Sequence, residues 1–271
     1  MFRDRSIGFI GGGNMAEALI RGLIAPSLFS AERVFVFDVL ESRIQLLEKE
    51  FGIKGQRDIP ALARSSDIIL LAVKPQTIAA VLDSLSAHLS HKPLIISIAA
   101  GVALSTLEQR LPEKTAIVRV MPNTPALVQM AASALSRGKA VTDAQMEMSL
   151  ALFRAVGKAV EISDKLMDAV TGLSGSGPAY VLLMIEAMID AGVLMGLPRQ
   201  AARDLVVQTF AGTTRLLETT GKHPAELKDM ITSPAGTTIH GLQVLESCSV
   251  RGALIDCVEA AARRSEELGN Q

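Results

Sequence analysis

A glycine-rich segment near the start of the chain could bind a phosphate-bearing cofactor. Residues 11–16, Gly-Gly-Gly-Asn-Met-Ala, fit the pattern G-x-G-x-x-G/A. In this pattern Gly11 permits a tight turn, Gly13 lets a pyrophosphate approach the backbone, and the small Ala16 allows close packing of helix on strand. Because the segment follows an apolar run and opens a helical pattern, it favours dinucleotide binding at a helix N-terminus over a plain glycine turn.

Charged side chains follow the next two predicted strands. Asp38 lies 38 − 13 = 25 residues after Gly13, where an acidic residue commonly binds the adenosine ribose and disfavours a 2′-phosphate. Asp38 could equally be an N-cap of the next helix, and the nearby Arg43 could pair with a 2′-phosphate. Lys74 follows the third strand, where it could contact cofactor ribose or phosphate or simply be solvated. The sequence therefore leaves the preference for a 2′-phosphate open.

Two hydroxyl-rich loops precede helical patterns in the second half of the chain. Residues 174–178 are Ser-Gly-Ser-Gly-Pro, and residues 232–238 are Thr-Ser-Pro-Ala-Gly-Thr-Thr. Hydroxyls and backbone N–H groups at a helix N-terminus suit a carboxylate or a phosphate. Either loop alone could simply cap a helix, but the pair favours an anion site. No GxSxG elbow or Ser/His/Asp order is present, and hydride transfer from a nicotinamide needs no protein nucleophile.

Composition excludes several classes of function. The chain of 271 residues has a formal net charge of −1 and 3% aromatic residues, which argues against binding nucleic acid or an anionic membrane surface. Cys248 and Cys257 have neither disulfide-framework nor zinc spacing, and the histidines form no HExxH cluster, so we expect no metal. The long apolar stretch 177–196 contains Glu186 and Asp190, which would be costly inside a bilayer. We expect a soluble, cytoplasmic protein without a membrane partner.

The first half of the chain supplies the elements that must position these residues. Short apolar runs, typical of buried strands, alternate with helical patterns, which predicts a parallel sheet covered by helices on both faces. The predicted strands are 7–10, 33–37, 67–73, 94–99, 116–120, 133–136 and 159–162, and the predicted helices are 15–24 (ended by Pro26), 41–51, 76–89 and 143–156. The expected fold is α/β, with a Rossmann-like, doubly wound, mainly parallel sheet.

The second half of the chain is predicted to be helical. Helical patterns cover 178–195, 199–219, 224–231, 237–246 and 251–268. We therefore predict an NAD(P)-binding domain over residues 1–164 and an all-helical domain over residues 165–271. The helix 178–195 is apolar nearly all round and must be buried on several sides. A homo-oligomer with interleaved helices satisfies this better than a monomeric bundle does.

Six segments, in order along essentially the whole chain, resemble the pyrroline-5-carboxylate reductase family. They are GFIGGGNMA (8–16), AVKPQ (72–76), SIAAG (97–101), RVMPNTPA (119–126), GLSGSGPAY (172–180) and TSPAGTTIHGL (232–242). The resemblance implies a Rossmann domain followed by a helical dimerisation domain, assembled as a homodimer or as a ring of dimers. It also implies reduction of the cyclic imine 1-pyrroline-5-carboxylate to L-proline. It favours NADP(H) as the cofactor, with NAD(H) as the alternative.

The resemblance further implies roles for single residues. Those expected to hold the pyrophosphate are Gly11, Gly13, Asn14 and Met15, and those expected to line the ribose and nicotinamide are Ala72, Lys74, Pro75, Ala99 and Asn123. Ser176 would place both cofactor and substrate. The substrate residues, on a loop from the partner subunit, would be Ser233, Gly236, Thr237 and Thr238, with Ser233 and Thr238 as the catalytic residues. Ala235 stands where many members have glycine, and Ile59 where many have asparagine.

Two other functions are kept open at this stage. A β-hydroxyacid dehydrogenase-like enzyme or another imine reductase would share this architecture. That chemistry usually uses a lysine of the helical domain, and the candidates Lys165, Lys222 and Lys228 lie outside the 174–178 loop. A non-catalytic NAD(P)-binding regulator would keep the glycine loop without needing the 232–238 loop.

Overall fold

The computed structural model describes residues 2, 4–25 and 28–269, so Pro26, predicted to end the first helix, lies outside the described residues. The chain forms two compact units: the first runs to Ser176 and resumes at Ala260, and the second is Gly177–Glu259. These units divide later than the predicted boundary between residues 164 and 165. The reason is that Met167 is fully buried in the first unit and that Ser265 binds Asp168 within it.

The first unit contains one sheet of eight strands among the described residues. The strands are β1 Ile7–Ile10, β2 Val34–Phe37, β3 Lys54–Gly55, β4 Ile68–Leu71, β5 Leu94–Ser97, β6 Ile117–Met121, β7 Ala131–Arg137 and β8 Gly157–Glu161. Their order is β3-β2-β1-β4-β5-β6-β7-β8, and every neighbouring pair is parallel except β6 with β7. This arrangement confirms the predicted doubly wound, mainly parallel sheet.

Helices cover both faces of the sheet. They are α1 Asn14–Ile24, α2 Glu41–Phe51, α3 Ile59–Arg64, α4 Ile78–Ser86, α5 Leu104–Arg110, α6 Asp143–Arg154 and α7 Met167–Val170. Successive side chains of a strand point to opposite faces, so Phe9 enters a core with α1 and α6, and Ile10 enters a second core with α3, α4 and α5. Strands buried on both faces explain the uninterrupted apolar runs in the sequence.

The second unit is helical. Its helices are α8 Gly177–Leu194, α9 Arg199–Thr220, α10 Pro224–Met230, α11 Thr237–Ser247 and the first part of α12 Val250–Gly269. Helix α8 buries none of its residues in the single chain, and Leu182 and Leu183 are 64% and 66% exposed. By length and composition alone, the helical stretch Asp164–Leu194 could also cross a membrane. A large exposed apolar surface of this kind indicates a surface that binds a partner.

Candidate functional site

The predicted cofactor residues of the first unit lie along one edge of the sheet. Strands β2, β1, β4, β5 and β6 are adjacent and parallel, so the residues that follow them share their carboxyl edge. These residues are Asp38 after β2, Gly11 and Gly13 after β1, Ala72, Lys74 and Pro75 after β4, Ala99 after β5, and Asn123 after β6. The Gly11 N–H donates to the Phe37 carbonyl at 2.8 Å, and the Ala72 N–H donates to the Ile10 carbonyl at 2.8 Å. This edge is where open α/β sheets bind ligands.

The glycine loop has the shape that a pyrophosphate requires. Gly11 has a φ of +98°, and a Cβ there would lie 2.5 Å from the Ala72 carbonyl oxygen, so the position needs glycine. A Cβ on Gly13 would meet nothing within 4 Å, which leaves open space above the backbone. Helix α1 begins at Asn14, and Met15 is its second residue. The first N–H groups of a helix have no intrahelical acceptor. The loop therefore fits a dinucleotide pyrophosphate.

Asp38 and Arg43 both bind the backbone of Gly12, the middle glycine of the loop. The Asp38 carboxylate accepts from the Gly12 N–H at 2.7 Å and from the Leu40 N–H at 2.9 Å. Arg43 donates to the Gly12 carbonyl and to the Glu17 carboxylate. The Arg43 hydrogen bond holds the pKa of the Glu17 carboxyl below its usual value. The N-cap position of α2 is Leu40, so the alternative role of Asp38 as that N-cap is wrong.

The loops after β4 and β5 border the same edge. Lys74 is exposed, and its carbonyl accepts from the Thr77 hydroxyl at 2.9 Å in the short 3₁₀ turn Pro75–Thr77. Ala99 is buried, and its N–H lies 3.4 Å from the Ser97 hydroxyl. An exposed ammonium group beside a buried, small-residue wall suits a ligand that carries both phosphate and a flat ring.

Ser176 follows a π turn, Thr171–Gly175, in the first unit. The Ser176 N–H donates to the Thr171 carbonyl at 2.9 Å. π turns inside helices are rare and frequently lie at functional sites. The Asn123 side chain donates to the Ser174 carbonyl at 3.0 Å and accepts from the Ala132 N–H at 2.9 Å. Sequence reasoning predicted that Asn123 lines the cofactor, but it did not predict that its amide group anchors this turn.

A cleft of about 690 Å³ opens in the first unit next to Ser176. Its walls include Pro75, Gly101, Thr171, Arg264, Ser265 and Leu268. The last three belong to the end of α12, which sequence reasoning did not connect with the site. No sequence signal could have found them, because the contact between Ser265 and Asp168 joins residues that are 97 positions apart.

The second hydroxyl-rich loop leads into α11 in the second unit. Gly236 is the N-cap residue of that helix, and Thr237 and Thr238 lie in its first turn. The Gly236 N–H donates to the Ser233 carbonyl at 3.0 Å, and a Cβ on Gly236 would lie 2.2 Å from the Ser233 hydroxyl oxygen. The four predicted substrate residues thus lie in the Ser233–Gly236 turn and the first turn of α11, where hydroxyls and helix N–H groups suit a carboxylate.

Ala235 occupies a backbone conformation that favours glycine. Its φ is +56°, in the left-handed region that costs an L-residue roughly 1–2 kcal/mol. We expect Ala235→Gly to stabilise the protein by about 0.5–1 kcal/mol, because relief of this strain exceeds the entropy that glycine adds to the unfolded chain. A thermal unfolding scan should show a Tm higher by about 1–4 °C.

A glycine substitution in a regular helix provides the control for this prediction. Ala211 lies inside α9, so Ala211→Gly should destabilise the protein by about 1 kcal/mol. If Ala235→Gly lowered the Tm as Ala211→Gly does, the strain at position 235 would not exist in solution.

The described part of the chain contains no group of three or more His, Cys, Asp or Glu residues that could hold a metal ion. Cys248 is an exposed free thiol, and Cys257 is half-buried.

Comparisons with known proteins extend over nearly the whole chain. Residues 164–268 match the family model for pyrroline-5-carboxylate reductase dimerisation, and residues 6–101 match the model for NADP oxidoreductase, coenzyme F420-dependent. The chain is 47% identical over 268 residues to a pyrroline-5-carboxylate reductase of Methanosarcina acetivorans, covering 99% of both proteins.

Solved structures agree with these matches. A pyrroline-5-carboxylate reductase from Coxiella burnetii superimposes with a TM-score of 0.93 at 36% identity, covering 97% of this chain and 98% of that one. The pyrroline carboxylate reductase of Plasmodium falciparum, solved with NADP bound, gives a TM-score of 0.88 at 35% identity and 98% coverage of both chains.

Proposed function

The chain belongs to the pyrroline-5-carboxylate reductase family, and we propose that it reduces 1-pyrroline-5-carboxylate to L-proline with NAD(P)H, the last step of proline biosynthesis. The observation that carries the proposal is the convergence of five strand-end loops at one sheet edge, in a chain that also retains the hydroxyl loop before α11. Family membership argues against a β-hydroxyacid dehydrogenase-like enzyme, and the 232–238 loop argues against a non-catalytic regulator, which would not need it.

The sheet edge binds the cofactor. Gly13 and the N–H groups of Asn14 and Met15 would hold the pyrophosphate, because the space there is open and faces a helix N-terminus. Asp38 would bind the adenosine ribose. The residues that would line the ribose and nicotinamide are Ala72, Lys74, Pro75, Ala99 and Asn123. When bound, the nicotinamide supplies the hydride. The chain's own residues would position the cofactor and supply a wall of small residues.

The loop before α11 binds the substrate. Its backbone N–H groups and the Ser233 and Thr237 hydroxyls hold the carboxylate of the imine, and the Thr238 hydroxyl bonds the ring nitrogen. An alcohol is a poor acid in water, so Thr238 orients the nitrogen or relays a proton from solvent. Ser176 completes the site on the cofactor side. Fixing two reactants in register converts a bimolecular step into an effectively unimolecular one, and this orientation supplies much of the rate.

The two functional domains are residues 1–164, which bind the cofactor, and residues 165–271, which dimerise and carry the substrate loop. The match of residues 164–268 to the dimerisation model supports this division. We place the homodimer interface on the exposed apolar surface of α8, so that the substrate loop of one subunit serves the sheet edge of its partner. Dimers then assemble further into a ring.

A solvent-exposed ion pair favours the interpretation of α8 as a dimer interface and argues against its being a membrane span. Arg199 of α9 donates to Asp190 of α8 at 2.8 Å, and both side chains are exposed. Burying such a pair in lipid would be costly. We therefore propose a soluble protein that works in the cytoplasm, where its small, charged substrate and cofactor are dissolved.

Leu183→Glu is expected to lower the oligomer mass. One chain is 28.7 kDa, so a dimer is 2 × 28.7 = 57.4 kDa and a ring of dimers is a larger even multiple. Leu183 is 66% exposed in the single chain, so a carboxylate there should leave the fold intact while it opposes burial between subunits. Light scattering after size exclusion measures the mass.

Leu46→Glu is the matched control, because Leu46 is an exposed leucine of α2 in the first unit. Its mass should equal that of the unchanged protein. A protein that is a monomer before any substitution would refute the proposed homodimer. A Leu183→Glu variant of unchanged mass would place the interface elsewhere.

A turnover assay tests the proposed reaction. The purified protein is mixed with 1-pyrroline-5-carboxylate and either NADH or NADPH, and loss of reduced cofactor is followed together with formation of L-proline. We expect oxidation that depends on the imine, with one proline formed per cofactor oxidised. Absence of imine-dependent oxidation with both cofactors would refute the proposal, and equal turnover of a β-hydroxy acid with oxidised cofactor would favour the dehydrogenase alternative.

A further inference from the structure

The segment Asp164–Ser176 is anchored by side chains from three other elements of the first unit. The anchors are Arg119 of β6 to Asp164 at 3.0 Å, Ser265 of α12 to Asp168 at 2.6 Å, and Asn123 after β6 to Ser174 at 3.0 Å. Together they hold the segment at its start, in its middle and in the π turn. Of the three anchors, only the Asn123 amide donates to a carbonyl group of the π turn; the other two bind carboxylates that precede it.

The anchor from α12 is the one that also faces the cleft. Ser265 is 5% exposed, and its hydroxyl donates to the Asp168 carboxylate, a charge-assisted bond that is stronger than one between neutral groups. Ser265 and Ser176 both line the 690 Å³ cleft. Loss of this bond would therefore release the middle of the segment that carries Ser176.

The end of α12 approaches the loop after β5 closely. A Cβ on Gly269 would lie 2.9 Å from the Gly101 carbonyl oxygen, and a Cβ on Gly101 would lie 3.9 Å from Leu268. This contact, together with the Ser265 bond, ties α12 to two walls of the cleft. The end of the helix thus spans the gap between the β5 loop and the segment that carries Ser176.

We propose that Ser265 is a positioning residue of the reductase, which acts through Asp168 to hold Ser176 at the 690 Å³ cleft. This inference rests on the proposed function, because Ser176 is assigned to cofactor and substrate there. Ser265 binds neither reactant; it fixes the geometry of a segment that does. Misplacing a binding group by about 1 Å can cost orders of magnitude in rate, so a hydrogen bond behind the site can affect turnover.

A double-mutant cycle tests the proposal. Ser265→Ala should lower kcat/KM for the imine by about tenfold in the unchanged background, and by less than about twofold in a Ser176→Ala background, because the two residues act as one unit. Asp168→Asn keeps an acceptor oxygen for the Ser265 hydroxyl and should retain most activity, whereas Asp168→Ala should behave like Ser265→Ala. A loss that is equal in both backgrounds, or no loss, would overturn the proposal.

Ser149→Ala is the matched control for folding effects. Ser149 is fully buried in α6, and its hydroxyl donates to the Gln145 carbonyl at 2.9 Å. It should change the Tm about as much as Ser265→Ala while leaving kcat/KM unchanged.

Amide hydrogen exchange of the full-length protein gives a second test, independent of activity. Ser265→Ala should speed exchange in peptides covering residues 164–176, and Ser149→Ala should not. Unchanged exchange in those peptides would overturn the positioning role. If the unchanged protein failed to reduce the imine, the proposed function would fall, yet the exchange result would still show whether Ser265 holds the segment.

Discussion

Thr238→Ala is expected to lower kcat/KM for 1-pyrroline-5-carboxylate about 10- to 100-fold. Thr238 lies in the first turn of α11, beside the Ser233–Gly236 turn that offers N–H groups and hydroxyls. A hydrogen bond to a charged group contributes about 1.5–3 kcal/mol, and truncation leaves the ring nitrogen without its orienting partner. Ser233→Ala should act in the same direction. Steady-state kinetics at saturating cofactor measure the loss, and KM for the cofactor should not change.

Two comparison variants separate this effect from a general loss of structure. Thr238→Ser keeps the hydroxyl and should retain most of the activity. Thr220→Ala removes a hydroxyl that donates to the Leu216 carbonyl within α9, and it should leave the kinetics unchanged. If Thr238→Ala and Ser233→Ala both left kcat/KM for the imine unaltered, the loop before α11 would not be the substrate site.

The sheet was predictable from the sequence because parallel strands buried on both faces leave apolar runs such as residues 68–71. Four short elements were not predicted: β3, α3, α5 and α7 have two, six, seven and four residues. Elements this short contain too few turns or alternations for the periodic pattern of apolar residues to be recognised. A local signal did exist at α3, where the Asp58 side chain accepts from the Ala61 N–H at 2.7 Å as an N-cap.

The candidate site was predictable only where topology alone decides position. Gly13 and Ala99 follow parallel strands, and those strands must end at one edge, so their convergence follows from the strand pattern. The part played by Ser265 follows from no local pattern, because it depends on how α12 returns to the first unit. The Asn123 amide is a similar case, since its contact with Ser174 joins residues 51 positions apart.

Asp38→Asn is expected to raise the ratio of kcat/KM for NADPH to that for NADH by about tenfold. The Asp38 carboxylate is fixed at the end of β2 by the N–H groups of Gly12 and Leu40, where the adenosine ribose is proposed to lie. A 2′-phosphate would bring a second negative charge beside it. Two unit charges 4 Å apart repel by about 4 kcal/mol at an effective dielectric constant of 20. Screening by salt at this partly exposed loop lowers the effect toward the tenfold expected.

The interpretation of this prediction depends on Arg43, because a cation beside Asp38 could offset the repulsion between its carboxylate and a 2′-phosphate. The structure gives its guanidinium two acceptors already, the Gly12 carbonyl and the Glu17 carboxylate. Arg43→Ala should therefore loosen the glycine loop and weaken both cofactors alike, leaving their ratio unchanged. A selective loss of NADPH would instead show that Arg43 binds the 2′-phosphate. Asp83→Asn changes an exposed aspartate of α4 and is the control for the loss of charge alone. If Asp38→Asn and Asp83→Asn gave the same ratio of kcat/KM for NADPH to that for NADH, this result would contradict a role for Asp38 in cofactor choice.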